Sequence, residues 1–222
     1  MAKTNKIVIS ILPFHNSTVG VFSSGRCLEY HHEERFTNQK NYFGFPEKCL
    51  NYLSKKYDFS NLEAIVIPTK YLLWITTPNY KPTKPSTLGQ KIEHISQSNL
   101  RNYINYFEYK LRFKSFFFYI RQFIIKYLVS PYAKKEFQLY FLKKYNIKPN
   151  QIHFYDHHTC HAWSVINFYN LSKLKTKILI FSTDGAGDGY CAKTFIYNPK
   201  KNKLKLLDKI PYDSSIGLLY SE

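Results

Sequence analysis

Apolar and polar positions alternate first with a two-residue period. The β-branched run 7–12 is followed by the polar link Phe14-His15-Asn16-Ser17-Thr18, then a second apolar run to Phe22, the turn Ser24-Gly25 and a third segment over 27–33. Short β-branched and aromatic runs bounded by turn formers predict strands. Pro46 then marks a helix start, and Cys49, Leu50 and Leu53 fall on one face of a helix over 47–57. The apolar run 62–68 predicts a buried strand, so residues 1–69 predict a β-β-β-α-β unit.

Prolines 68, 78, 82 and 85 predict an extended connection over 70–86. Two or three helices follow over 87–145, with Pro131 breaking the run and Tyr103, Phe107 and Leu111 at packing positions, so 86–146 form a helical insertion. A turn at 146–150, a short strand at 151–155 and a helix through Ala162, Val165, Ile166 and Phe168 come next. Strands near 178–182, 190–197 and 204–210 complete a second meander, within a 150–222 unit. Two β-rich units of similar plan predict an α/β protein of the actin/Hsp70/sugar-kinase-like kind (N-terminal part, with a helical insertion), in which nucleotide phosphates lie between two hairpins.

Composition narrows the picture little. The chain has 222 residues and is 44% hydrophobic, enough for a substantial core. Tyr and Phe number 20 and 18, so aromatic residues are too common to mark a binding platform. Lys and Arg outnumber Asp and Glu by 32 to 15, a balance that favours polyanionic ligands or surfaces. Eleven of those cations lie between Arg101 and Lys148 against Glu108 and Glu136 alone, which makes a basic nucleic-acid-binding module one alternative reading. Four scattered cysteines without a Cys-x-x-Cys pair exclude a zinc ribbon and imply a reducing, cytoplasmic setting. The first apolar run is too short for a secretory leader, and no run reaches the length of a membrane span.

The chemistry gathers between 154 and 188. His157 and His161 are four apart, so on a helix both imidazoles project from one face, and Asp184 stands at the end of an apolar strand. Two imidazoles and a carboxylate suit Zn or Fe(II) better than Mg. By spacing alone the same residues also make a polar helix start with Asp156 as N-cap, and Asp184-Gly185-Ala186-Gly187-Asp188 a glycine-permitted turn. The 14–18 link reads on its own as an ordinary Asn-Ser turn, and the charged 33–40 stretch as an exposed loop; beside His15, however, Arg35 and Lys40 would offer a fork and a point charge to an anion.

Five motifs in order resemble the N-terminal half of the O-carbamoyltransferases of nodulation-factor and antibiotic biosynthesis. They are His15-Asn16-Ser17-Thr18; Glu33-Glu34-Arg35-Phe36-Thr37 with Lys40 and Phe45-Pro46; His157-His158-x-x-His161-Ala162; Asp184-Gly185-x-Gly187-Asp188; and Ser215-Ile216-Gly217-Leu218-Leu219-Tyr220-Ser221. The resemblance implies a transferase that uses ATP and carbamoyl phosphate to make a carbamoyl-adenylate and passes the carbamoyl group to a hydroxyl of a small-molecule or glycan acceptor. It implies His157, His161 and Asp184 as ligands of a divalent metal, iron in preference to zinc. His15 would lie at the reacting carbamoyl group, Arg35 and Lys40 would meet negative charge, and Ser17, Gly185, Gly187 and Asp188 would serve the nucleotide. Asn16 stands where the family has Asp, and Asp188 where it has Glu. The resemblance further implies that a fourth metal ligand and a YrdC-like domain, in cis or in trans, lie beyond this chain, which on its own would be incomplete. A tRNA threonylcarbamoyl-transfer relative of the same fold is the other alternative; Glu33-Glu34-Arg35-Phe36-Thr37 and Gly217-Leu218-Leu219-Tyr220 speak for the small-molecule branch.

Overall fold

The computed structural model of the chain describes residues 6–73, 77–78, 119–120 and 122–215. The helices expected over 87–118 and the motif 216–221 lie outside them. Strands β1 (Ile7–Leu12), β2 (Thr18–Ser23) and β3 (Arg26–His32) form an antiparallel meander. β4 (Ala64–Ile67) and β5 (Ile152–Phe154) add in parallel on the far side of β1, giving the order β3-β2-β1-β4-β5. A second, antiparallel sheet has the order β6-β7-β8, with β6 Ile178–Gly187, β7 Tyr190–Asn198 and β8 Lys203–Pro211. Helices α1 (Glu34–Thr37), α2 (Glu47–Lys56), α3 (Ser130–Tyr145) and α4 (His157–Phe168) complete a mixed α/β architecture. Among the described residues no helix is long and apolar enough to cross a membrane.

Period-two strands bury one set of side chains. Ile9 and Ile11, Val19 and Val21, and Ile65 and Ile67 are all fully buried. Against them pack Cys49, Leu50 and Leu53 of α2 and the stripe Ala133, Phe137 and Phe141 of α3, spaced four apart. Each large apolar side chain so buried contributes roughly 1.5–3 kcal/mol. A separate, smaller core joins Ala162 and Ile166 of α4 to Ile180, Phe195 and Tyr197 of the second sheet.

Two departures from the sequence expectation have physical reasons. The 33–40 stretch is not a solvated loop: Glu33 is buried, and its two carboxylate oxygens accept the amides of Lys48 at 2.9 Å and Cys49 at 2.8 Å. These are first-turn donors of α2, which its own cap residue Pro46 cannot satisfy, and a negative charge there also suits the helix dipole. Pro131 does not break the helical run: residues 122–145 are helical throughout, and the proline follows directly on a π-helical stretch, Ile125–Val129, whose altered hydrogen-bond register meets α3 at Ser130. The short strand β5 belongs to the first sheet, so the 150–222 segment contributes to both sheets. α3, moreover, spends Phe137 and Phe141 on the core, leaving them unavailable for stacking on bases.

At the sheet edge, Glu29 accepts a hydrogen bond from the Tyr57 hydroxyl at 2.5 Å and pairs with Lys56 at 2.9 Å and His31 at 2.9 Å. Tyr57 foremost, with Lys56 and His31 and against the opposing effect of desolvation, holds its carboxyl at about 2, below its ordinary 4.5. A lowered folded-state pKa contributes stability that is complete above the ordinary value and lost as pH falls toward the folded one. Glu29→Gln is therefore expected to flatten the acid limb of thermal stability between about pH 4.5 and 2. Glu33→Ala strands the buried Cys49 amide and the part-buried Lys48 amide and is expected to lower unfolding free energy by on the order of 2 kcal/mol, read from the urea midpoint, with Glu33→Gln milder.

Candidate metal centre

β1, β4 and β5 run in the same direction, and their pairing sets Ser10 beside Val66 and Val66 beside His153. Their carboxyl ends therefore lie level, and the His15 turn, the Pro68–Tyr71 segment and the start of α4 issue from one edge. That edge is where open α/β sheets present their binding groups. With β4 between them, the ends of β1 and β5 are two strand spacings apart, about 10 Å, and the His15 turn and α4 leave from those two ends.

Asp156 caps α4: one carboxylate oxygen accepts the Thr159 amide at 2.9 Å and hydroxyl at 2.8 Å, and the other accepts the ammonium of Lys193, a buried residue in the middle of β7. Burial alone would raise the Asp156 pKa, but the bonds from Lys193 and Thr159 outweigh it and the carboxyl lies below its usual range. One residue into the helix, His158 is fully buried, with Nε2 3.0 Å from the Tyr190 carbonyl and Nδ1 2.9 Å from the Ser182 hydroxyl. A carbonyl can only accept, so Nε2 carries the proton and Nδ1 accepts. Burial, the main cause, lowers the His158 pKa and keeps the ring neutral. This inward histidine seats α4 on the second sheet, and its neighbours His157 and His161 are turned to the open side.

There the ligating atoms of His157, His161 and Asp184 lie within 4.8 Å of one another. His157 Nε2 is 2.7 Å from Asp184 Oδ2 and 3.0 Å from His161 Nε2, and His161 Nε2 is 3.5 Å from the same Oδ2. Three atoms each about 2.0–2.1 Å from one tetrahedral ion are about 3.3 Å apart, so the set fits a single Zn-sized or Fe(II)-sized ion. The carboxylate is delivered by a bulge between Thr183 and Gly187, which lifts Asp184 out of the β6–β7 ladder. Its Oδ1 is held by the Gly185 amide at 2.6 Å, leaving Oδ2 toward the histidines. Burial opposes ionisation of Asp184, yet the bonds from His157 and Gly185 prevail and its pKa is lowered, which keeps it a carboxylate. His157 Nδ1 lies 3.2 Å from the Pro68 carbonyl, so Nδ1 holds a proton, and Nε2, which faces Asp184, is the nitrogen that would meet an ion.

The capping reading and the metal reading of this stretch thus hold together: Asp156 is the N-cap, and the histidines converge with Asp184. The other sequence candidates distribute as follows. His15 is exposed on its turn, where Asn16 has a φ of 53°. Ser17 is buried; its amide donates to the Tyr42 carbonyl at 3.2 Å and its carbonyl accepts the Glu33 amide at 2.8 Å, which ties the turn to the segment carrying the exposed Arg35 and Lys40. The Ser17 hydroxyl has no hydrogen-bond partner among the described residues. Gly185 is exposed with open space around it, whereas a Cβ on Gly187 would stand 2.3 Å from His157 Cδ2, so Gly187 makes room for the imidazole. Asp188 directs its carboxylate into the protein, onto Thr69, Lys70, Tyr71 and His157. Sequence reasoning missed His158, Lys193 and Pro68–Tyr71 as parts of this centre. A lysine within the apolar run Cys191-Ala192-Lys193 was the one visible signal, since a buried ammonium needs a carboxylate partner.

Fold and site define a mixed α/β protein with a two-histidine, one-carboxylate centre on the carboxyl edge of its first sheet. The family model described as carbamoyltransferase N-terminus matches residues 6–222. The chain belongs to the carbamoyltransferase family, matching the model of its N-terminal region, and family membership supports carbamoyl transfer as its chemistry. No curated protein matches the chain.

The two glycines give a contrast that isolates the His157 ring. Gly187→Ala is expected to weaken zinc or cobalt binding at least tenfold by displacing the imidazole, whereas Gly185→Ala, with nothing within 4 Å, is expected to change it less than twofold. Isothermal titration of the metal-free variants checks both.

Proposed function

We propose that this chain is the acceptor- and adenylate-binding part of an ATP-dependent O-carbamoyltransferase. ATP and carbamoyl phosphate are its co-substrates, and the acceptor is a hydroxyl of a sugar-containing or natural-product molecule. In this reading the fold is the actin/Hsp70/sugar-kinase-like one, and the carbamoyl-adenylate is made by a YrdC-like domain supplied in cis or in trans. Four scattered cysteines without a Cys-x-x-Cys pair support a reducing, cytoplasmic setting. The single observation that carries the proposal is the convergence of His157, His161 and Asp184 within 4.8 Å, at the sheet edge from which the His15 turn also issues.

His157, His161 and Asp184 would hold a divalent metal, iron in preference to zinc. When bound, the ion supplies positive charge that holds and polarises a phosphate oxygen. The residues of the chain then have separate tasks. His15, exposed at its turn, takes the proton of the acceptor hydroxyl as the hydroxyl oxygen bonds to the carbamoyl carbon. The bond from that carbon to the adenylate oxygen breaks, and its electron pair leaves with the AMP phosphate. Arg35 and Lys40, both exposed on the segment tied to the His15 turn, meet the negative charge on the departing phosphate. Ser17 and the Gly185 backbone contribute polar contacts to the nucleotide.

The test is metal content and nucleotide binding, measured together on anaerobically purified protein. About one iron or zinc per chain is expected, with ATP or adenylate binding when the adenylate-forming domain is present. His161→Ala is expected to lose the metal with helix content unchanged by circular dichroism. Equal metal content in that variant would remove the ligand role, and salt-sensitive RNA binding without metal would favour the basic-module reading instead.

A further inference from the structure

Asp188 sits in the turn between β6 and β7 with a φ of 51°, a left-handed conformation that Asp and Asn tolerate better than most side chains. From there its carboxylate reaches back across the sheet edge. Oδ1 accepts the Thr69 hydroxyl at 2.6 Å and the amides of Lys70 at 3.0 Å and Tyr71 at 3.2 Å. Oδ2 accepts the Lys70 amide at 2.9 Å and the His157 amide at 2.8 Å. A carboxylate offers about four lone-pair sites, so these donors saturate it. It has no capacity left for a nucleotide or an ion.

What those bonds fasten is the immediate surroundings of one imidazole. The segment gripped through Thr69, Lys70 and Tyr71 begins at Pro68, whose carbonyl accepts His157 Nδ1–H at 3.2 Å. The turn that carries Asp188 also carries Gly187, which lies directly against the His157 ring. The backbone of His157 is itself bound to Asp188. One carboxylate thus holds the main chain of His157, the acceptor for its Nδ1 and the surface its ring rests on.

We infer that Asp188 is a positioning residue: it fixes the tautomer and orientation of His157 so that Nε2 faces His161 and Asp184. The inference rests on reading those three residues as a metal centre. The negative charge matters because every partner is a donor. An amide in its place must turn an NH₂ toward at least one backbone N–H, because both oxygens accept main-chain amides.

Asp188→Asn keeps the size and the left-handed preference of the residue, removes the charge and replaces one acceptor oxygen by a donor, which makes it the appropriate variant. In the full chain, Co(II) affinity is expected to fall about 10–100-fold, the range typical for outer partners of metal-bound histidines, with an altered visible Co(II) spectrum. In the metal-free protein, the Lys70, Tyr71 and His157 amides are expected to exchange faster, and the ¹⁵N signal of His157 Nδ1 to shift. Asp188→Glu, which keeps the charge, is expected to recover part of the affinity. Affinity within twofold of the parent, with an unchanged spectrum, would overturn the inference. Should the parent itself bind no Co(II), the metal reading fails, and the positioning role is then decided by amide exchange and the Nδ1 signal: unchanged values refute it. If Asp188→Asn does not fold, Thr69→Val, which removes the hydroxyl's bond to Asp188 and the one it accepts from the Tyr71 amide, is expected to move the Lys70 and His157 amides and the Nδ1 signal in the same direction by less, and no movement of these refutes the role.

Discussion

The ion pair between Lys193 and Asp156 is the constraint on which the arrangement depends. Asp156 follows β5 of the first sheet and Lys193 lies within β7 of the second, so the bond joins the two sheets where one strand ends and a helix begins. Both groups are buried, and breaking such a pair by removing one partner typically costs about 3–5 kcal/mol, because the survivor is left charged and dry. The same carboxylate caps α4. The start of the helix and its tie to the second sheet at that end are therefore set by one residue, and together with the inward His158 it fixes the phase at which His157 and His161 emerge.

That phase divides adjacent histidines between different roles. His158 turns inward to Ser182 and Tyr190, while His157 and His161 meet Asp184 outside. The neighbouring glycines and aspartates divide in the same way: Asp184 faces the histidines and Asp188 faces the protein, while Gly187 yields space and Gly185 lends an amide. A short motif here encodes its own supports along with the ligands, which is why its residue types alone do not reveal which is which.

Most strands were legible because their apolar runs are short, β-branched and bounded by turn residues, and α2 and α4 because their apolar positions recur at helical spacing. The convergence of His157, His161 and Asp184 was legible from four-residue spacing and a strand end. What escaped was long-range: Glu33 reads as one charge among many, and only the fold brings it to the amides of Lys48 and Cys49, fifteen and sixteen residues on. Pro131 was read as a breaker because a proline's effect depends on its place within the helix, and the boundary at Ser130 leaves little trace in composition. Thr69, Lys70 and Tyr71 escaped because their contribution is made largely through backbone amides, which any residue but proline carries.

The two apolar cores differ in size, and the three ligating side chains all come from elements of the smaller one, α4 and β6. The segment that fastens His157, by contrast, follows β4 of the larger core. An ion held by the three would cross-link the weaker half of the molecule to itself, and its binding free energy would add to the resistance of that half to local opening, with little effect on the rest. Metal occupancy and the lifetime of the small unit are accordingly one equilibrium seen from two sides.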